Sequence, residues 1–218
     1  MSSDARPRAG WVVVSVFVAA VLVTGCGSSG QKTSTTTSTP SSSTAVAASP
    51  PSGMEARLLG KNELAGFQSA GVSTYKTPSS WISREQGVPA RQLAAERAML
   101  NRNGFRVGMQ EDLMNGGTQG VSLVEQFRSP AAARDALAFY VAEFKAPAAA
   151  SFAGAYAPLK VSGIPGAVGY SLGGAAGGIN IAFSDGAYYY LVGRDGDNPK
   201  AIASLIAAAQ HLYHQLPQ

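Results

Sequence analysis

The chain is poor in the residues that most chemistry at neutral pH depends on. Of its 218 residues one is cysteine, Cys26, and two are histidine, His211 and His214. A single thiol excludes an intramolecular disulfide, so any folded part must be held by a packed core. Two histidines three apart near one end leave no base for a Ser-His-Asp arrangement, and no Gly-x-Ser-x-Gly elbow is present. The pair also lacks the further His, Asp or Glu that zinc requires, so the two are expected on a helix surface and no metal is expected. Charged residues make up 14% of the chain, with a formal charge of +4. From Met54 to Gln218 basic and acidic side chains nearly balance and are scattered, which argues against nucleic acid as a partner.

The acids that lie close together offer no site. Glu111 and Asp112 are adjacent in a strand-like stretch and point to opposite faces. Asp195-Gly196-Asp197 lacks the spacing and closing Glu of a calcium loop. The glycine-rich run from Gly173 to Gly178 is followed by a strand pattern, whereas a phosphate cradle needs a helix N-terminus there, so it reads as a loop. No cofactor and no catalytic residue is expected, and a non-enzymatic protein is the first reading. An envelope enzyme working through carboxylates alone, or a purely structural protein, is the alternative.

What the chain does possess begins at its N-terminus. Arg6 and Arg8 precede an apolar run, Ala9 to Val23, and two small residues, Thr24-Gly25, lead into Cys26. The next charge is Lys32, so no cationic stop follows, and the run is at the short end of what spans a bilayer. Val23-Thr24-Gly25-Cys26 resembles the bacterial lipobox. That resemblance implies cleavage before Cys26, a diacylglyceryl group on its sulfur and an acyl group on the new N-terminus. Each buried methylene is worth roughly 0.8 kcal/mol, so two or more chains hold where one does not. Residues 1–25 are then a lipoprotein signal peptide, and the protein sits at the outer face of the cytoplasmic membrane, anchored through Cys26. An uncleaved transmembrane anchor is the competing reading.

Residues 26–53 carry the lipidated Cys and a Ser/Thr/Pro-rich linker that cannot bury enough surface to order itself. As a flexible coil it reaches on the order of 30 Å. Residues 54–218 have the length and the patterning of one globular domain. Within it, Ala56–Leu59 reads as a short strand and Glu63–Phe67 as a turn packing Leu64 and Phe67 inward. Thr77-Pro78 opens a short helix bearing Trp81 and Ile82, which Gly87 breaks. A helix from Pro89 to about Asn103 follows, with Leu93, Ala94, Ala98, Met99 and Leu100 as its stripe and Gly104 at its end.

Strands are expected around Phe105–Gln110 and Val121–Phe127, joined at Asn115-Gly116-Gly117. Ser129-Pro130 caps a helix with Ala133, Leu137, Tyr140, Val141 and Phe144 on one face, ended by Pro147. Further strands fall within Phe152–Val161 and around Val168–Leu172. A hairpin follows whose turn signal is Asp185-Gly186. Asn198-Pro199 opens a terminal helix with Ile202, Leu205, Ile206, Ala209, Leu212 and Leu216 on one face. Two hairpin-then-helix units, 104–144 and 163–216, echo each other without a residue-level repeat.

Strands joined by tight turns are antiparallel, and amphipathic helices must bury a face. The expected fold class is therefore α+β, an open antiparallel β-sheet of about five to seven strands with helices packed on it. The hairpin-rich order ending in Tyr188-Tyr189-Tyr190-Leu191-Val192 and an amphipathic helix, with Val72–Trp81 at its start, resembles the Mog1/PsbP-type fold, which also occurs in lipid-anchored bacterial proteins. The resemblance implies a non-catalytic binding or accessory role and assigns no functional residue. Tyr188, Tyr189 and Tyr190 are the candidate binding residues: on a strand Tyr188 and Tyr190 face one side and Tyr189 the other, so one face presents aromatic surface beyond what a core needs, suited to an envelope protein, a glycan or a lipid.

Overall fold

The computed structural model describes residues 53–216 apart from 61, 86–87, 152–155 and 173–177. The signal segment, Cys26, almost all of the linker, Gly87 and all but the last residue of the Gly173–Gly178 run therefore lie outside the described residues. Among the described residues seven strands form one sheet: β1 (Gln68–Tyr75), β2 (Val107–Asn115), β3 (Thr118–Gln126), β4 (Tyr156–Leu159), β5 (Val168–Leu172), β6 (Gly178–Asp185) and β7 (Tyr188–Asp195). Their spatial order is β1-β2-β3-β7-β6-β5-β4, and every neighbouring pair is antiparallel. The helices are α1 (Pro78–Ile82), α2 (Ala90–Arg102), α3 (Pro130–Ser151) and α4 (Pro199–Gln215). The expected α+β class and open antiparallel sheet are what the chain adopts. Among the described residues no helix is long and apolar enough to cross a membrane.

The sheet is covered on both faces. Residues directly opposite on neighbouring strands share a face, and those one step along point to the other. Tyr75, Gly108, Glu125, Tyr189 and Ser184 form one cross-strand row. Over that face pack α1, α2 and α3, whose Trp81, Met99, Leu100, Ala133, Ala136 and Tyr140 are buried with Leu123, Phe127 and Leu191. The opposite face carries Val124, Tyr190, Phe183, Ile181 and Val192 and is closed by α4 and the segment leading into β1. The two hairpin-then-helix units thus put their helices on opposite faces.

Local chemistry explains most element limits. Asn198 accepts a hydrogen bond from the Ala201 N–H at 3.0 Å, capping α4, with Pro199 in its first turn. Thr77 and Ser80 exchange reciprocal bonds at the start of α1. In the β6–β7 hairpin Asp185 pairs with Tyr188, so the turn residues are Gly186-Ala187, and Gly186 supplies the positive φ of 52°. Gly108 is required for a different reason. The Trp81 indole lies so close to its Cα that a methyl group there would collide with the ring.

Several expectations are corrected. Ala56–Leu59 is not a strand: a single 3-10 turn spans Glu55–Arg57. Leu58 and Leu59 are both buried, and the Leu59 N–H donates to Ser122 Oγ at 2.9 Å, tying the segment to the sheet through a side chain rather than a strand ladder. Pro147 does not end α3, which continues to Ser151 through Ala148-Ala149-Ala150, the strongest helix formers. On α2, Ala94 and Ala98 are exposed, and Glu96 is buried with Met99 and Leu100. Leu64 and Phe67 do pack inward.

Candidate functional site

The helix-covered face holds a cluster of polar groups in the middle of an apolar layer. Glu125 projects from β3 beside Gly108 on β2 and Tyr189 on β7. Trp81 occupies the space above Gly108, and the Tyr140 ring from α3 lies 4.9 Å from that of Tyr189. The Tyr140 hydroxyl is 2.8 Å from Glu125 Oε1 and 2.9 Å from Glu96 Oε1 on α2. Glu125 is 0% exposed and Glu96 4%. Arg84 stacks on the Trp81 ring at 4.0 Å and its Nη2 lies 3.2 Å from Glu85 Oε1.

The two short oxygen–oxygen contacts fix the protonation. Each needs a hydrogen on the line between its oxygens, and a phenol has one to give. Tyr140 therefore donates to one carboxylate and accepts from the other group, which must be a carboxylic acid. The electrostatics agree. Burial pushes the Glu125 carboxyl up to about 8, against the opposing pull of the Tyr140 bond and Arg84. Burial, then the Glu85 charge, also pushes Glu96 up to about 8. Burial and the two acids hold Tyr140 well above the usual tyrosine range. Glu125 Oε2 has no hydrogen-bond partner, and Trp81 Nε1 faces this carboxyl without reaching bonding geometry.

Sequence reasoning missed this cluster although its signal was present. Glu96 sits three residues from both Leu93 and Met99, on the apolar stripe of α2. Glu125 sits in the inward series Val121, Leu123, Glu125, Phe127. An acid at a position reserved for apolar residues is the pattern to look for.

The tyrosines predicted to bind are packed into the fold, Tyr188 half-buried and the other two fully. Tyr188 and Tyr190 share one face and Tyr189 takes the other, as alternation requires. However, Tyr189 and Tyr190 are 2% and 0% exposed, so no aromatic platform exists. Tyr190 stacks on Phe183 at 4.8 Å and its hydroxyl accepts from Arg57, whose guanidinium lies 3.8 Å over the half-buried Tyr188 ring. These side chains fill a core because α4 and the N-terminal segment cover the face they were expected to show. His211 and His214 are exposed on α4, and His211 lies 3.5 Å from Glu63. Among the described residues no group of three or more His, Cys, Asp or Glu is placed to hold a metal. Asp195 accepts from the Gln119 N–H at 3.0 Å, a tie between strands.

The exposed feature of the sheet is its β1 edge. Gln68 to Val72 and Thr74 are exposed, none is charged, and the strand has no neighbour on its outer side among the described residues. The opposite edge, β4, is four residues long and carries Pro158, which cannot donate to a further strand. Val72 and Met114, the exposed large apolar residues here, are on β1 and its neighbour. A cleft of about 350 Å³ opens beside the start of β1, lined by Leu64, Phe67, Gln68, Ser69, Glu111 and Leu113. Burial, with Glu63 and Asp112 nearby, raises the Glu111 carboxyl above its ordinary value despite a bond from Ser69.

No protein-family model matches the sequence, and no curated protein matches it. Among solved structures, the crystal structure of the extracellular domain of PknH from Mycobacterium tuberculosis is similar at a TM-score of 0.46 and 10% identity, over 73% of this chain and 94% of that one.

Proposed function

We propose that the protein is an exported, lipid-anchored binding or accessory module without catalytic activity. In this reading Cys26 carries the acyl chains, the linker holds the domain off the outer face of the cytoplasmic membrane, and an extended segment of another envelope protein docks by adding to β1. The observation that carries the docking element is the contrast between the two sheet edges. β4 is short and blocked by proline, whereas β1 is eight residues long, uncharged and, among the described residues, without a neighbour on its outer side. Natural edges are commonly guarded by charge, a bulge or a cover; β1 has the irregularity between Ser69 and Gly71 but no charged side chain, and strand addition is the recognition mode the regular run beyond it permits. The register shift between Ser69 and Gly71 confines the longest regular run to Gly71–Tyr75. The cleft beside Gln68 and Ser69 offers a side chain of the incoming strand a place to enter. Among the described residues the buried acid pair Glu96 and Glu125 is sealed from solvent, which supports leaving catalysis out.

Two measurements test this. Mass spectrometry of the purified protein should find a chain beginning at an acylated Cys26, and Cys26→Ser should leave the protein uncleaved and unacylated. A photo-crosslinking residue at Val72 should trap a protein adduct in intact cells that one at the exposed Ala207 of α4 does not. The β1 amides should gain hydrogen-exchange protection in that complex. Equal adducts from both positions, or unprotected β1 amides, would refute docking at this edge.

A further inference from the structure

The Glu96–Tyr140–Glu125 cluster joins three elements through one hydroxyl. Glu125 belongs to a central strand and Tyr140 to the long α3, both packed into the core. Glu96 belongs to α2, which packs chiefly on α1 and α3 and lies at the periphery of the sheet. The groups facing the cluster are Trp81, Arg84 and Glu85 from α1 and the turn after it, Glu96 from α2, Tyr140 from α3, and Tyr189 from β7 beside Glu125. Arg84 is the one cation among them, and it is already engaged by Glu85 and by the Trp81 ring.

We propose that Glu96, Tyr140 and Glu125 form a proton-loaded clasp that fastens α2 to the sheet in acidic and neutral surroundings and loosens it as the surroundings become alkaline. The closed geometry accommodates one donor proton from Tyr140 and at least one from a carboxylic acid. Removing the carboxylic proton leaves two carboxylates across a phenol that can satisfy one of them, in an apolar layer with Glu85 adding a third charge. Separation is cheapest where the structure is least tied down, so α2 moves and β3 and α3 stay. The surrounding charges point the same way. Burial and Glu85 both favour the protonated form, and Arg84 opposes them without reaching either carboxyl in bonding geometry.

The linkage has a definite sign. Glu96, held up to about 8 in the closed state and nearer the ordinary 4.5 once α2 lifts it from the apolar layer, binds more proton when closed. The clasp is at full strength below the exposed value and is lost as pH rises through about 8. Between those limits the α2 opening constant should rise about tenfold per pH unit for each proton released.

The test is hydrogen exchange of the full chain in detergent micelles from pH 5 to 9, corrected for the intrinsic pH dependence of exchange. Peptides from α2 should lose protection by about tenfold per unit through neutrality, while peptides from α4 hold theirs. In the Glu96→Gln/Glu125→Gln variant the two amides keep both contacts with Tyr140 and have nothing to titrate, so α2 protection should not depend on pH. As a measurement that needs no variant, the infrared spectrum of the wild-type protein at pH 7 should show a buried protonated carboxyl. Parallel loss of protection in α2 and α4, equal pH dependence in wild type and variant, or absence of the protonated carboxyl at pH 7 would each overturn the clasp.

Discussion

Gly108→Ala tests whether the packing around Glu125 is as tight as the structure has it. The added methyl group would meet the six-membered ring of the Trp81 indole at Cε3 and Cζ3, within the distance at which atoms overlap. The ring cannot simply tilt away. Tyr75 meets it edge-on at 5.3 Å, Phe105 lies at 5.8 Å, and Arg84 covers it at 4.0 Å. Trp81 is 0% exposed, so the strain must be taken up by the backbone of β2, by α1, or by expulsion of the indole. Overpacking of this kind costs about 1–3 kcal/mol, and expulsion is bounded by the roughly 3–5 kcal/mol of deleting a buried aromatic side chain. Urea denaturation followed by circular dichroism reads the loss directly, and a double-variant cycle with Trp81→Leu isolates its cause. In the Leu background the methyl group has room, so Gly108→Ala there should cost under about 1 kcal/mol. If Gly108→Ala costs the same in both backgrounds, or next to nothing in the wild type, Trp81 does not sit over Gly108.

Tyr140→Phe removes both buried contacts to Glu96 and Glu125 and should destabilise the protein by about 2–4 kcal/mol at pH 6, read as a fall in the urea midpoint. Asn198→Ala removes the acceptor for the Ala201 N–H at the start of α4 and should cost about 1 kcal/mol, with Asn198→Asp restoring most of it. Glu111→Gln keeps an acceptor for Ser69 and removes an acid that burial holds above its ordinary value. Its folded-state value is raised, so the wild type loses stability as pH climbs past the usual carboxylate range. The Gln variant should therefore be the more stable at pH 7 and match wild type at pH 4.

How much of this was legible follows from where the sequence places its periodicity. The helix α4, the β6–β7 hairpin and the cap at Asn198 were readable because one-sided burial writes itself into the apolar spacing, and turns demand particular residues. The edge strand β1 was not, because Gln68-Ser69-Ala70-Gly71-Val72-Ser73-Thr74-Tyr75 is exposed on both sides for most of its length and has no alternation to read. The tyrosine strand failed for the converse reason. Alternation says which side a residue faces but not what covers that side, and here both faces are covered. Glu96 and Glu125 show the same limit at the candidate site. Their positions in apolar series were visible along the chain, but their meaning depends on a third residue, Tyr140, fifteen positions beyond Glu125. A buried acid is costly alone and stable when a donor reaches it, so the sequence could mark the anomaly and only the packing of α3 against α2 and β3 could resolve it.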